Sequence, residues 1–263
     1  MRVRRRPAGV PALVAALLLC GCAAATPPPT AEAASVDTPA LDGALVVLAA
    51  ASLTDVVTQA ADQLEAAHPG LTVRTSFAGS SALVGQVVAG APVDVLVTAS
   101  RATMTRATEV VGGEPVVVAT NRLQLAVPAG NPGAVTSVAD LADPDLTVAL
   151  CAPEVPCGDL SADVLQRAGV VAAPDTLEQD VRAVLTRLVL DEADAGLVYR
   201  TDVLAAAGAV EGVDLPPRAQ GTTDYPALVL PEAPHPRAAA AFVALLQGDA
   251  GRQALTDAGF EVP

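Results

Sequence analysis

Ala44-Leu-Val-Val-Leu-Ala49 opens the stretch that decides the fold, because it is an unbroken apolar run of strand length. Such a run is typical of a strand that is buried on both faces of a sheet. Helical spacing follows over Ser52 to Ala67, and a strand is predicted over Leu71 to Phe77. After a second, shorter helix, Val93 to Val97 reads as a third strand. Strands and helices that alternate at this spacing predict a parallel sheet with helices on its faces.

The rest of the chain continues this alternation. Further strands are predicted over residues 122–127, 146–150, 195–199 and 225–230, and further helices over residues 158–168, 180–190 and, in two pieces, 236–260. The strand at 225–230 is placed to return the chain to the first set of elements. The sequence therefore predicts an α/β protein with two sets of strands and helices.

The N-terminus has the features of a secretory signal. Four arginines fall within Met1 to Arg6, and a short apolar run follows over residues 11–19. That run is too short to span a bilayer by itself. Leu19-Cys-Gly-Cys22 resembles a bacterial lipobox, whose last cysteine is acylated after cleavage. We therefore expect residues 1–21 to be a lipoprotein signal peptide and Cys22 to carry lipid, with an ordinary cleaved signal as the alternative.

Residues 22–42 are rich in alanine, threonine and proline, and their first half lacks large apolar side chains. This composition is typical of a flexible linker. The acidic chain is repelled by anionic lipid headgroups, so attachment to the membrane requires the acyl chains. We expect the protein to lie on the outer face of the cytoplasmic membrane, held there by its N-terminal lipid.

Two cysteines remain after Cys20 leaves with the signal and Cys22 takes lipid. Cys151 and Cys157 form an isolated pair separated by five residues. Outside the cytoplasm such a pair indicates a disulfide. A metal site is the alternative, but there is no third sulfur in the mature chain and both histidines lie far away in sequence. We expect no directly ligated metal.

Charge and composition exclude a nucleic-acid-binding protein. The 263 residues include 15 cationic side chains, all arginine, against 29 acidic ones, which gives a formal net charge of −14. No cationic surface is therefore available to displace the counterions of a phosphate backbone. Aromatic residues amount to 2% and tryptophan is absent, so a base-stacking platform is not expected either.

The motifs of common enzymes are missing as well. The sequence has no Gly-x-Ser-x-Gly and no His-Glu-x-x-His, and without lysine it has no P-loop. Neither His68 nor His235 has an acidic or nucleophilic neighbour in sequence, and both are expected on the surface. An enzyme that uses Ser52 or Ser80 as its nucleophile is disfavoured because the sequence places no histidine or lysine base near either serine. We expect that the protein is not an enzyme.

Several helices begin with small or hydroxyl residues directly after an apolar strand. Ser52 follows the first strand, Gly79-Ser80-Ser81 follows the second, and Pro156-Cys157-Gly158 precedes a later helix. A helix N-terminus offers free N–H groups and the positive end of the helix dipole, and serine adds a hydroxyl donor. Several such termini in one cleft would bind an anion without a charged side chain. Simple N-capping is the alternative reading of these residues.

Motifs that carry a family resemblance run in order along the chain: Ala50-Ala-Ser-Leu-Thr54, Ser76-Phe-Ala-Gly-Ser-Ser-Ala-Leu83, Ala89-Gly-Ala-Pro-Val-Asp94, Asn121, Pro153-Glu-Val-Pro-Cys-Gly158, Asp180-Val-Arg182, Glu192 to Asp202, and Tyr225-Pro226. In this order and spacing they resemble the molybdate-binding proteins of bacterial ABC importers. The resemblance covers nearly all of residues 43–263. It implies the type II periplasmic-binding-protein fold, in which two α/β lobes are joined by two hinge crossings with a ligand cleft between them. We expect one lobe to comprise residues 43–121 and 222–263, and the other residues 122–221.

The resemblance also implies a set of ligand residues. Ser52 and Ser80 would each offer a hydroxyl and a backbone N–H to the oxyanion, Cys157 and Val181 their backbone N–H groups, and Tyr199 its phenol. These are the five oxyanion-binding residues that we predict. Cys157 stands where the family usually has alanine, and Gly79 replaces a common serine, a change that we expect to be neutral.

The ligand implied by the resemblance is molybdate or tungstate, with no cofactor. Both ions are deprotonated dianions at neutral pH and accept hydrogen bonds only, whereas a protonated phosphate also needs an acceptor. The implied partners are an ABC permease and its ATPase, and we expect a monomer. The same fold binding another small oxyanion or an organic anion is the alternative.

Overall fold

Nine strands form one continuous sheet within residues 40–263, the part of the chain that the computed structural model describes. The strands are β1 (Asp42–Ala50), β2 (Gly70–Ala78), β3 (Val95–Val97), β4 (Val116–Pro128), β5 (Val148–Cys151), β6 (Thr176–Glu178), β7 (Ala195–Tyr199), β8 (Val210–Val213) and β9 (Thr222–Val229). The predicted signal peptide and the predicted lipidation site Cys22 lie outside the described residues, as does all of the predicted linker except its last three residues. Between residues 40 and 263, no helix is long and apolar enough to cross a membrane.

The helices lie between these strands or after them. They are α1 (Thr54–Ala67), α2 (Ser80–Val88), α3 (Arg101–Val111), α4 (Pro156–Ala168), α5 (Val181–Val189), α6 (Arg200–Ala205), α7 (Pro236–Gln247) and α8 (Asp249–Asp257). A short 3₁₀ turn, Ala51–Leu53, leads directly into α1. The apolar stripe predicted for α1 is confirmed, because Leu53, Val56, Val57, Ala60 and Leu64 are all buried.

The order of strands in the sheet is β2-β1-β3-β9-β4-β7-β5-β6, with β8 paired to β4. At one end, β1 lies parallel to both β2 and β3. At the other end, β5 lies parallel to both β6 and β7. Antiparallel β9 and β4 join the two groups. The predicted fold class, two α/β lobes with two crossings, is confirmed.

The long strand β4 provides the first crossing between the lobes. Its residues up to Arg122 pair with β9, whereas Leu123 and the residues after it pair with β7. The second crossing enters β9 beside it, where the Leu123 N–H donates to the Gly221 carbonyl at 2.9 Å. The two connections are therefore hydrogen-bonded to each other at the point where a hinge is expected.

Each lobe has an apolar core of its own. In the first lobe, α1, α7 and α8 cover one face of the sheet around Val47 and Phe242, and α2 and α3 cover the other face around Leu96 and Met104. In the second lobe, α4 and α5 pack around Leu197. Because each lobe buries its own core, the lobes can in principle rotate relative to each other without exposing either core.

The structure corrects several predicted boundaries. Strand β4 begins at Val116, six residues before the predicted start at 122. The lobe that was predicted to start at 43 already includes Leu41, which is buried in the core, and Asp42, the first residue of β1. The strands β6 and β8 and the helices α3 and α6 were not predicted, because they are short or, like α3, bury mainly small and polar side chains.

Candidate functional site

A small cavity lies between the lobes at the carboxyl ends of the central parallel strands. Ser52, Ser80, Cys157, Val181 and Tyr199 all line it. The first lobe supplies the two serines and the second lobe supplies the other three residues. The five residues predicted from sequence are therefore brought together around one cavity, although they are spread over almost 150 positions of the chain.

Helix N-termini provide most of the cavity wall. Ser80 is the first residue of α2, Val181 is the first of α5, and Cys157 is the second of α4. The first N–H groups of a helix have no partner within that helix and carry its positive partial charge. In α4 the first position is Pro156, which has no N–H, so Cys157 offers the first donor there. Backbone dipoles thus make the cavity attractive to an anion.

The serine hydroxyls have defined hydrogen-bond partners that leave their hydrogens free. Ser80 Oγ accepts a hydrogen bond from the Ala99 N–H at 2.9 Å. Ser52 Oγ lies 2.8 Å from the Tyr225 hydroxyl. When Tyr225 donates in this pair, both serine oxygens act as acceptors toward the protein. Each serine then has one O–H to donate, and the free direction is toward the cavity that it lines.

Asn121 supports the assignment of Tyr225 as the donor. The Asn121 carbonyl oxygen accepts the Arg122 N–H at 2.9 Å, which fixes the orientation of the amide. Its Nδ2 donates to Thr201 Oγ1 at 2.9 Å and lies 3.5 Å from the Tyr225 hydroxyl oxygen. A Tyr225 oxygen that faces an N–H donor directs its own hydrogen elsewhere, which here is toward Ser52.

The Tyr199 hydroxyl is buried; it lies close enough to the Tyr225 hydroxyl for each group to shift the pKa of the other, but no hydrogen bond of normal geometry joins them. Burial raises the pKa of Tyr199 well above its usual value, so the phenol stays protonated and can donate. The ring is held edge-on to Tyr225, with 6.1 Å between the two ring centroids. An unsatisfied buried donor at a cavity wall is the kind of group that a bound acceptor would satisfy.

Among the described residues that line the cavity, Asp180 is the one acidic side chain, and none is basic. The Asp180 carboxylate is engaged by its own helix, since its Oδ1 accepts the Ala183 N–H at 3.0 Å and caps α5. Residues 40–263 contain no group of three or more histidine, cysteine or acidic side chains that could hold a metal ion. The chemistry of the cavity therefore suits an anion with acceptor oxygens, not a cation.

Cys151 and Cys157 lie at the two ends of the loop that positions α4. The structure joins their sulfurs, and their Cα atoms are 5.7 Å apart. In the first turn of α4, a Cβ added at Gly158 would lie 1.9 Å from the Ala152 carbonyl oxygen of this loop, so only glycine lets α4 pack this closely. The loop and the first turn of α4 thus hold the Cys157 N–H at the cavity wall.

Charged contacts beside the cavity link the lobes. Arg182, the residue after Val181, lies 2.7 Å from Asp55 of the first lobe and 3.0 Å from Asp202 of its own lobe. Asp202 is fully buried and accepts the Tyr199 N–H at 3.1 Å. Burial raises the pKa of Asp202 to about 7, although Arg182 opposes this shift.

Sequence reasoning missed the supporting groups of the site. Asn121 and Tyr225 were noted only as parts of motifs, and Ala99 and Asp202 were given no role. The available signal was a polar residue inside an otherwise apolar strand, as at Asn121. The side-chain partners of Asn121 and Tyr225 are 80 to 173 positions away in sequence, so only the tertiary structure pairs them.

The histidines do not line the cavity. His235 lies at the start of α7, and its backbone N–H donates to the buried Asp94 carboxylate at 2.6 Å. The tertiary structure thus gives His235 an acidic neighbour that it lacks in sequence, with its Nδ1 at 3.5 Å from Asp94. This contact joins α7 to the segment before β3 and lies apart from the residues that surround the cavity.

Comparison with known proteins places this site in context. The family model described as bacterial extracellular solute-binding protein matches residues 45–261. The "Molybdate-binding protein ModA" of Mycobacterium tuberculosis strain H37Rv is 38% identical over 256 residues, which cover 95% of each chain. The protein of the same name from Escherichia coli K12 is 30% identical over 84% of this chain and 90% of its own.

Solved structures share the fold. The periplasmic molybdate-binding protein of Azotobacter vinelandii superposes with a TM-score of 0.70 at 21% identity, over 83% of this chain and 99% of its own. The sulfate-binding protein SubI from Mycobacterium tuberculosis H37Rv superposes with a TM-score of 0.72 at 18% identity, over 83% of this chain and 86% of its own. At these identities the likeness establishes the architecture alone.

Proposed function

This chain belongs to the bacterial extracellular solute-binding proteins, in the family of the ModA molybdate-binding proteins, and from that premise we propose that it captures molybdate between its lobes. As a member of this family it is a binding protein of a transporter, not an enzyme. The observation that carries the proposal is the donor-rich cavity. Three helix N-termini, two serine hydroxyls and the buried tyrosine hydroxyl surround one space that no cationic side chain lines.

The proposed ligand set comprises seven donors. Ser52 and Ser80 each contribute a hydroxyl and a backbone N–H, Cys157 and Val181 each contribute a backbone N–H, and Tyr199 contributes its phenol. A hydrogen bond from a neutral donor to a desolvated anion contributes about 1.5–3 kcal/mol, so a set of this size supports tight binding. Donors from both lobes would contact one anion, and binding would therefore favour the closed arrangement.

Selectivity would follow from protonation and size. Molybdate and tungstate are dianions with four acceptor oxygens, which suits a wall of donors. Hydrogen phosphate carries a proton that needs an acceptor, and the one carboxylate at the wall, Asp180, already directs one of its oxygens to the cap of α5. Sulfate has the right charge but is smaller, so donors on rigid backbone would form stretched hydrogen bonds to it. We propose tungstate as a second ligand because its size is nearly that of molybdate.

Delivery and location complete the proposal. The closed, loaded protein would dock on an ABC permease whose cytoplasmic ATPase drives import. Lipid on Cys22 would hold the monomer at the outer face of the cytoplasmic membrane, with residues up to about 40 as the tether. We place one lobe at residues 41–121 with 222–263, which starts two residues before the predicted 43 because Leu41 is buried in its core, and the other lobe at 122–221. The change of partner strand within β4 supports these boundaries. In this oxidising location the Cys151–Cys157 disulfide would form and keep its loop in place.

Thermal unfolding of the full chain with molybdate, tungstate, sulfate or phosphate tests the proposal. At 100-fold excess over Kd, a ligand adds about 2.7 kcal/mol to the free energy of unfolding. For a chain of this size that is a Tm increase of several degrees. An increase with molybdate and tungstate alone supports the proposal. An increase in Tm with sulfate or phosphate instead would indicate that the protein binds another oxyanion. No increase with any of the four ions would contradict the proposed function.

A further inference from the structure

Gly79 occupies the junction between β2 and α2, immediately before Ser80. Its backbone angles, φ −58° and ψ 132°, are ones that any residue adopts. The local conformation therefore gives no reason for glycine at this position. The residue is nevertheless buried, which indicates that the reason lies in what packs against it.

The backbone of the other lobe lies directly against Gly79. A Cβ added at this position would lie 2.1 Å from the Gln179 carbonyl oxygen and 3.6 Å from the Asp180 Cβ. Cβ atoms do not approach other atoms closer than about 3.0 Å, and neither of the two backbones can rotate away as a side chain could. A side chain at position 79 therefore requires the two segments to separate by about 1 Å.

Both segments carry proposed ligand donors. Gly79 precedes Ser80 in the first lobe, and Gln179 lies two residues before Val181 in the second. Separation of the segments would move the Ser80 donors away from the Val181 donor. Hydrogen bonds weaken steeply when stretched, so one anion could no longer be held well from both sides.

We propose that Gly79 is a positioning residue that sets how far the lobes close and thereby the affinity for the anion. This inference rests on the proposed function. On this inference the exchange of serine for glycine at this position is not neutral, contrary to the expectation from the sequence, because even the smallest side chain meets the opposite backbone. Other contacts also join the two lobes next to this position. The Ser81 hydroxyl, for example, donates a hydrogen bond to the Glu154 carbonyl at 2.6 Å.

Gly85 provides a matched control within the same helix. It is exposed, and a Cβ added there meets nothing within 4 Å. Alanine at position 85 is therefore accommodated and removes the flexibility of glycine from a helix interior. The two substitutions differ in their contact with the other lobe, which is the feature under test.

The experiment compares Gly79→Ala and Gly85→Ala with the parent protein, all as full chains, by titration and stopped-flow binding of molybdate. We expect Gly79→Ala to raise Kd at least about tenfold, mainly through faster dissociation, because closure follows the first encounter with one lobe. Gly85→Ala should keep the parent Kd. The Tm of Gly79→Ala without ligand should equal that of the parent, because open lobes do not bring residues 79 and 179 together.

Each outcome has one interpretation. A Gly79→Ala variant that binds molybdate as tightly as the parent overturns the inference and leaves the proposed function intact. A variant that is destabilised without ligand also overturns it, because the contact would then serve folding and not closure. If the parent protein itself binds no molybdate, the proposed function fails first. A larger residue, as in Gly79→Val, should weaken binding further than alanine if steric separation is the cause.

Discussion

The hydroxyl of Tyr199 is buried, and its interaction with the Tyr225 hydroxyl falls short of a hydrogen bond of normal geometry. We predict that Tyr199→Phe raises Kd for molybdate about tenfold or more, the loss of one hydrogen bond to an anion. The same substitution should leave the Tm of the unliganded protein unchanged or slightly higher, because it removes an unsatisfied polar group. Titration calorimetry and thermal unfolding measure the two effects.

Tyr225→Phe is the matched control at the residue scale. The Tyr225 hydroxyl has partners in Ser52 and Asn121, so its loss leaves buried groups unsatisfied and should lower the unliganded Tm. We therefore expect opposite patterns for the two variants: Tyr199→Phe should weaken binding alone, whereas Tyr225→Phe should lower stability. Equal loss of stability in both variants would contradict the assignment of Tyr199 as a ligand donor.

At the scale of elements, α6 depends on a buried carboxylate. Asp202 accepts the Tyr199 N–H in the first turn of α6, and burial raises the pKa of Asp202 to about 7. An acid whose pKa is higher in the folded state binds its proton more tightly there than in the unfolded chain. Its contribution to stability is therefore largest below the unfolded pKa of 3.8 and is lost as pH rises through about 7. Arg182, Asp180 and Asp55 are the charged groups that influence it.

Asp202→Asn tests this linkage. The variant keeps an acceptor oxygen for the Tyr199 N–H but cannot ionise. We expect its free energy of unfolding, relative to the parent protein, to increase as pH rises from about 5 to about 8. Urea unfolding at several pH values measures the difference, and Asp62→Asn on the exposed face of α1 serves as the control. A difference that is flat across this range would show that Asp202 ionises at its ordinary pKa.

Elements differ in how far the sequence predicted them. The strand β7 was predicted at its observed bounds, because all five of its residues are apolar or aromatic and buried. Helix α3 was missed because its buried face consists of Thr103, Met104 and Ala107, which give little apolar periodicity. The first part of β4 was missed because Thr120 and Asn121 interrupt its apolar pattern. These polar residues are explained by the crossing between lobes, which a local pattern does not reveal.

At the scale of the whole molecule, a strongly acidic chain is proposed to bind a dianion. The formal net charge of −14 repels the ligand at long range, over about 30 Å at 10 mM salt but only about 8 Å at 150 mM. We therefore predict that the association rate constant for molybdate increases severalfold between these salt concentrations. The dissociation rate constant should change little, because local N–H dipoles hold the bound anion. Stopped-flow binding across a salt series measures both, and an association rate that falls with salt would contradict this account.

The sequence by itself determined the α/β fold and the two sets of elements, because strand and helix periodicity is local. It also placed Ser52, Ser80 and Cys157 near helix starts, but the full set of five residues around the cavity was implied by the family resemblance. Only the tertiary structure decided which way the serine hydroxyls point, which groups bridge the lobes and why position 79 is glycine. These properties depend on contacts between residues far apart in the chain, such as Ser52 with Tyr225 and Gly79 with Gln179. No local pattern encodes such contacts, since they arise when two separately folded lobes meet.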